Sequence, residues 1–113
     1  MNQKFKKEKR YSKGRAFEYK VKNMLEKEGY FVIRSAGSHS VADLIAIHSE
    51  SNSSSSPTIL FIQCSLQPKA KFEIQKLLDI CKKLHVTPSL FFKNFGVLVR
   101  LNGEETIKKY FNL

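Results

Sequence analysis

Phe31-Val32-Ile33-Arg34, then Asp43-Leu44-Ile45-Ala46-Ile47, then Ile59-Leu60-Phe61-Ile62-Gln63-Cys64-Ser65: these three short runs decide the fold of the chain. They are rich in β-branched and aromatic residues, and turn-formers separate them. Ser35-Ala36-Gly37-Ser38-His39-Ser40 lies between the first two, and the serine-rich segment Ser49 to Pro57 between the second and third. That pattern predicts three strands of one sheet. The third run is almost continuously apolar, as a central strand covered on both faces should be. A lone carboxylate, Asp43, opens the second strand, and the third ends on the polar side chains of Gln63 and Ser65.

Working outward, helical spacing of Phe17, Val21, Met24 and Leu25 predicts a first helix from about Lys13 to Glu28, with Ser12 as N-cap and Gly29 as C-cap. Glu18 sits beside that apolar stripe. On the other side, Gln67-Pro68 ends the third strand. A second helix is predicted from Lys69 to Leu84 on the stripe Ala70, Ile74, Leu77, Leu78, Cys81 and Leu84. Ser89 to Lys93 and Val97 to Leu101 read as a fourth and a fifth strand around Asn94-Phe95-Gly96, and Glu104 to Tyr110 as a closing helix. The expected class is α/β: a mixed five-stranded sheet flanked by helices, in the order α-β-β-β-α-β-β-α.

The chain has 113 residues and is 42% hydrophobic, which suits one domain with one modest core. Residues 1–11, with Lys4, Lys6, Lys7, Lys9 and Arg10 against Glu8, read as a basic flexible tail, and residues 12–113 as the folded domain. No apolar run approaches the ~20 residues of a membrane span, and the N-terminus is too basic for a secretory leader, so an intracellular, cytoplasmic protein is expected. Cys64 and Cys81 lack metal-site spacing and read as buried thiols.

Charge points to the partner. The net charge is +10, and eleven basic against four acidic side chains in residues 1–34 account for most of it. A folded domain with one strongly basic region is the footprint of a polyanion binder, with nucleic acid the leading class. Such contacts hold phosphates without reading bases.

The pieces Lys13-Gly14-Arg15-Ala16-Phe17-Glu18, Gly29-Tyr30-Phe31-Val32-Ile33-Arg34, Ser35-Ala36-Gly37-Ser38 and Asp43-Leu44-Ile45-Ala46, in this order and spacing, resemble the archaeal Holliday junction resolvases. The resemblance implies a restriction-endonuclease-like fold, a homodimer, and DNA, duplex or four-way junction, as partner. It also implies phosphodiester cleavage with Mg²⁺ or Mn²⁺ held by a helix glutamate, a strand aspartate and a glutamate two residues before a lysine. Carried over, these positions are Glu18, Asp43, Gln63 and Ser65. The first two match, so Glu18 and Asp43 are the candidate metal ligands. Gln63 removes a negative charge from the cluster, and Ser65 removes the lysine.

The expectation is therefore a degenerate catalytic site on a retained DNA-binding surface of Lys13, Arg15, Arg34, Ser35, Ser38 and His39. Lys69 or Lys71, just past the third strand, is a candidate replacement for the missing lysine. The plainer reading of Glu18 is a surface ion pair with Lys22 at i,i+4, and of Gln63 and Ser65, hydrogen bonding to each other and to nearby backbone in a vacated pocket. The dimer contact implied by the family is the second helix with the Phe91, Phe92 and Phe95 region.

Overall fold

The computed structural model describes the backbone of residues 3–35, 40–49 and 57–113, and side chains within those ranges from Lys13 onward. Its elements are α1 (Gln3–Lys27), β1 (Phe31–Arg34), β2 (Leu44–His48), β3 (Thr58–Ser65), α2 (Lys71–Leu84), β4 (Thr87–Asn94), β5 (Val97–Asn102) and α3 (Glu104–Phe111). The order of elements is the expected one. Helix α1, however, begins at Gln3, through the segment assigned as tail, and Ser12 is an interior residue and not a cap. The physical reason lies in residues 3–11: Lys, Glu, Gln and Arg propagate a helix well, and no proline or glycine interrupts them.

The sheet runs β1-β2-β3-β4-β5, with β3 at its centre. β1, β2 and β3 are antiparallel neighbours; β4 joins β3 in parallel after the α2 crossover, and β5 returns antiparallel to β4. Alternation along β3 splits the core in two. Leu60, Ile62 and Cys64 join Phe17, Val21 and Leu25 of α1 on one side, together with Phe91. Phe61 lies with the cluster on the other side, built from Ile74, Leu77, Leu78 and Cys81 of α2, Leu90, Phe92 and Leu101 of the sheet, and Ile107 of α3. Burying each Leu, Ile or Phe of these layers stabilises the fold by roughly 1.5–3 kcal/mol relative to leaving it exposed.

This arrangement corrects the expected dimer surface. Phe91 and Phe92 are buried within the single chain, one in each core layer, because β4 is covered on both faces. Of the three phenylalanines only Phe95, at the β4–β5 turn, is exposed, at 99%.

Two features seat the sheet against α1. Gly29 ends the helix at φ +98°, and a side chain there would press on the His48 ring, whose Nε2 lies 2.9 Å from where the Cβ would be. Arg100 on β5 grips Glu28 with both terminal nitrogens, at 2.6 and 2.8 Å, and its guanidinium lies 5.0 Å from the centroid of the Phe91 ring. That paired geometry holds the Glu28 carboxyl below its usual range.

Candidate functional site

Asp43 sits where β2 begins, beside the C-terminal half of β3. Its N–H donates to the Ile62 carbonyl at 2.8 Å, and its Oδ2 accepts from the Cys64 N–H at 2.8 Å. The aspartate is thus fixed on the central strand through backbone contacts at two points. Ser35 closes the other side, its N–H donating to the Asp43 carbonyl at 2.9 Å. Burial raises the Asp43 pKa, against the opposing pull of the Cys64 N–H, Lys69 and Arg34.

Gln63 is the neighbour across from Asp43. Its amide Nε2 donates to the Val41 carbonyl at 2.7 Å, and its Oε1 is buried without a hydrogen-bond partner. Ser65 Oγ accepts from the Gln67 N–H at 3.4 Å, so Gln63 and Ser65 each bond nearby backbone, as the plainer reading has it, but not each other. Cys64, between them, points into the α1 core, where burial drives its thiol pKa far up and keeps it an inert thiol.

Asp43 and Gln63 open into a cleft of about 290 Å³. Ser40 and Val41 complete its sheet side, and Lys69, Glu73 and Lys76 line it from the α2 side. Those last three were not among the sequence-derived site residues, apart from Lys69 as a possible replacement lysine. Part of the signal was available: Glu73 and Lys76 lie three apart on one face of α2, the helix that follows the strand bearing Gln63, while Lys69 lies in the connection just before it. Lys71, the other replacement lysine considered, is exposed at the start of α2 and does not line the cleft. A larger hollow of about 780 Å³ lies along α1 from Ala16 to Glu28 and is lined by none of the site residues.

Glu18 lies close enough to Asp43 to feel its negative charge, and burial and Asp43 together raise the Glu18 pKa. Its partner is Arg34 and not Lys22: Arg34 Nε donates to Glu18 Oε1 at 3.0 Å, while Lys22 pairs with Glu26. Arg34 also stacks over Tyr19, 5.0 Å from the ring centroid. It is therefore turned inward onto the carboxylates. Lys13 and Arg15 are exposed on α1, and the positive charge of Arg15 reaches Glu18. Ser40 accepts the Ala42 N–H at 3.4 Å. Ser38 and His39 lie outside the described residues.

The donor set fits a hard divalent cation only thinly. Asp43 and Gln63 line one wall of the cleft, the Gln63 Oε1 is buried and unpartnered, and Mg²⁺ accepts one or two carboxylates completed by water and phosphate oxygens. Glu18 is already bonded to Arg34, and among the described residues no three His, Cys, Asp or Glu side chains are grouped to hold a metal.

Comparison with known proteins agrees with this arrangement. A family model described as archaeal Holliday junction resolvase (Hjc) matches residues 9–106. The crossover junction endodeoxyribonuclease Hjc of Methanocaldococcus jannaschii is 38% identical over 95 residues, covering 84% of this chain and 64% of that protein. This chain thus spans about 64% of the length of that curated relative. Among solved structures, Hjc of Archaeoglobus fulgidus, a Holliday junction resolvase from an archaeal hyperthermophile, superposes with a TM-score of 0.56 at 21% identity. That match covers 80% of this chain and 71% of the other and shows a shared fold.

Proposed function

The chain belongs to the archaeal Holliday junction resolvase family, and from that premise we propose that it binds duplex or branched DNA, four-way junctions included, without ordinary catalytic turnover. One observation carries this reading. At the end of β3, where cleavage in the family needs a carboxylate and a lysine, Gln63 offers a neutral amide held on the Val41 carbonyl, and Ser65 offers a hydroxyl. A divalent ion supplies an activated water and charge neutralisation on phosphate oxygens. Asp43 and the Gln63 carbonyl oxygen would hold it, with one negative charge fewer than a two-carboxylate site. Lys13 and Arg15 on the exposed side of α1 contribute phosphate contacts, whose release of counterions makes binding fall steeply with salt.

A second reading, slow Mg²⁺- or Mn²⁺-dependent cleavage at a rearranged site, is favoured by Lys69 and Glu73 facing Asp43 across the cleft. One labelled four-way junction and a matched linear duplex, incubated with protein in EDTA, Mg²⁺ and Mn²⁺, separate the two. Retarded, intact DNA in all three conditions is the expected result. Metal-dependent nicks that disappear in Asp43→Ala establish the second reading instead, and no retardation at moderate salt removes both.

Assembly as a homodimer belongs to the same proposal. Phe95, Val97 and Leu98 at the β4–β5 turn and edge strand, and Phe72 on α2, leave large apolar side chains exposed. Analytical ultracentrifugation at micromolar protein should give a mass of two chains. Phe95→Asp should move the equilibrium towards one.

A further inference from the structure

We propose that Lys69 is the cation that holds a DNA phosphate in the Asp43 cleft, acting from the connection just before α2 where β3 offers only Ser65. The inference rests on the DNA-binding reading and assigns that cleft a bound group: a backbone phosphodiester.

Geometry singles out this lysine. Lys69 lines the cleft opposite Asp43 and Gln63, whereas Lys71, two residues on, does not. About two-thirds of the Lys69 side chain is shielded, with a relative exposure of 35%, and the side chain lines the open cleft. The nearest carboxylate oxygen, Glu73 Oε2, stands 3.9 Å away. That separation is an ion pair without a hydrogen bond, and it leaves the ammonium's donors available to phosphate oxygens. The positive charge of Lys69 also reaches Asp43, whose carboxyl it draws downward against burial.

The charge count of the cleft explains why a metal is not required for binding. Asp43 and Glu73 face Lys69 and Lys76, and Gln63 adds nothing. A phosphate therefore enters a cleft that is balanced before it arrives. With glutamate at position 63 the same cleft would be net negative and would repel it unless a cation were bound.

The test measures junction affinity in EDTA over a range of salt concentrations for wild type, Lys69→Ala, Lys69→Arg and Lys71→Ala. One lost phosphate contact lowers the slope of log K against log salt by about 0.9. Lys69→Ala should show that loss with a several-fold weaker Kd, Lys69→Arg should retain the wild-type slope, and Lys71→Ala should leave both near wild type. Equal slopes for wild type and Lys69→Ala overturn the assignment, as does an equal or larger loss in Lys71→Ala. Failure of wild type itself to bind removes the DNA-binding reading and is read separately. Unchanged thermal midpoints confirm that each variant is folded.

Discussion

Gln63→Glu combined with Ser65→Lys should convert this protein into a metal-dependent junction endonuclease, at least about two orders of magnitude faster than wild type. A single contact that stabilises developing charge is commonly worth ~3 kcal/mol, which is a factor of about 10²–10³ in rate. The glutamate adds the second charged oxygen ligand that a hard ion needs beside Asp43. The lysine adds a cation at the phosphate. Groups that act as a unit are not additive, so each single variant should recover far less than half of the logarithmic gain.

The double change has a structural cost that provides a second readout. Gln63 Nε2 donates to the Val41 carbonyl at 2.7 Å, and a carboxylate cannot. Losing that bond and placing a second acid beside Asp43 should lower stability by about 1–3 kcal/mol in EDTA. Mg²⁺ should restore it by binding the folded state alone. Cleavage together with a Mg²⁺-dependent rise in thermal midpoint supports the reading of β3 as a vacated catalytic strand. If neither appears, the correspondence of Gln63 and Ser65 with the family's glutamate and lysine is wrong.

The parts of this protein that could be read from its sequence are those governed by local pattern. The near-continuous apolar run Ile59, Leu60, Phe61 and Ile62 was enough to place β3 between two layers, because a central strand must hide both of its faces. The stripe of α2 was legible for the same reason, although Ala70 and Leu84 at its ends proved exposed. What could not be read depends on contacts between distant elements. Phe91 and Phe92 look like surplus apolar surface in sequence, and only the burial of β4 on both faces accounts for them. Glu18 had Lys22 one turn away as its obvious partner, yet β1 delivers Arg34 from sixteen residues downstream. The cleft wall of Lys69, Glu73 and Lys76 combines both cases: the helical spacing of Glu73 and Lys76 was visible, but that they and Lys69, just before the helix, face Asp43 follows from where the α2 crossover lands.

Removing Arg34 should destabilise the protein more than any other substitution in the site. Arg34→Met keeps an apolar stem over Tyr19 but takes the charge away from Glu18, whose Oε1 accepts Arg34 Nε at 3.0 Å with side-chain exposures of 19% and 20%. An ion left unpaired in a fully buried site costs 3–5 kcal/mol. Partial solvent access here reduces that to about 2 kcal/mol at neutral pH, a fall on the order of 10 °C in thermal midpoint for a domain of this size.

The pH dependence identifies the cause. Glu18 and Asp43 both have folded-state pKa values raised above their usual ones, principally by burial, and Arg34 opposes the rise in both. A raised carboxyl contributes its full share of stability while protonated in both states. That share is lost as pH climbs from the unfolded value through the folded one. Without Arg34 both folded values move higher, so the variant loses more on the same climb. The deficit relative to wild type should therefore be small near pH 3, below the ordinary carboxyl pKa of about 4, and largest above about pH 6. Adding Glu18→Gln to Arg34→Met should recover most of it, since the unpaired charge is then gone. Thermal melts of wild type and the two variants in EDTA across that range decide the matter. A deficit of equal size at both ends of the range, unrelieved by Glu18→Gln, would place the loss in packing over Tyr19 and free Arg34 from the carboxylates altogether.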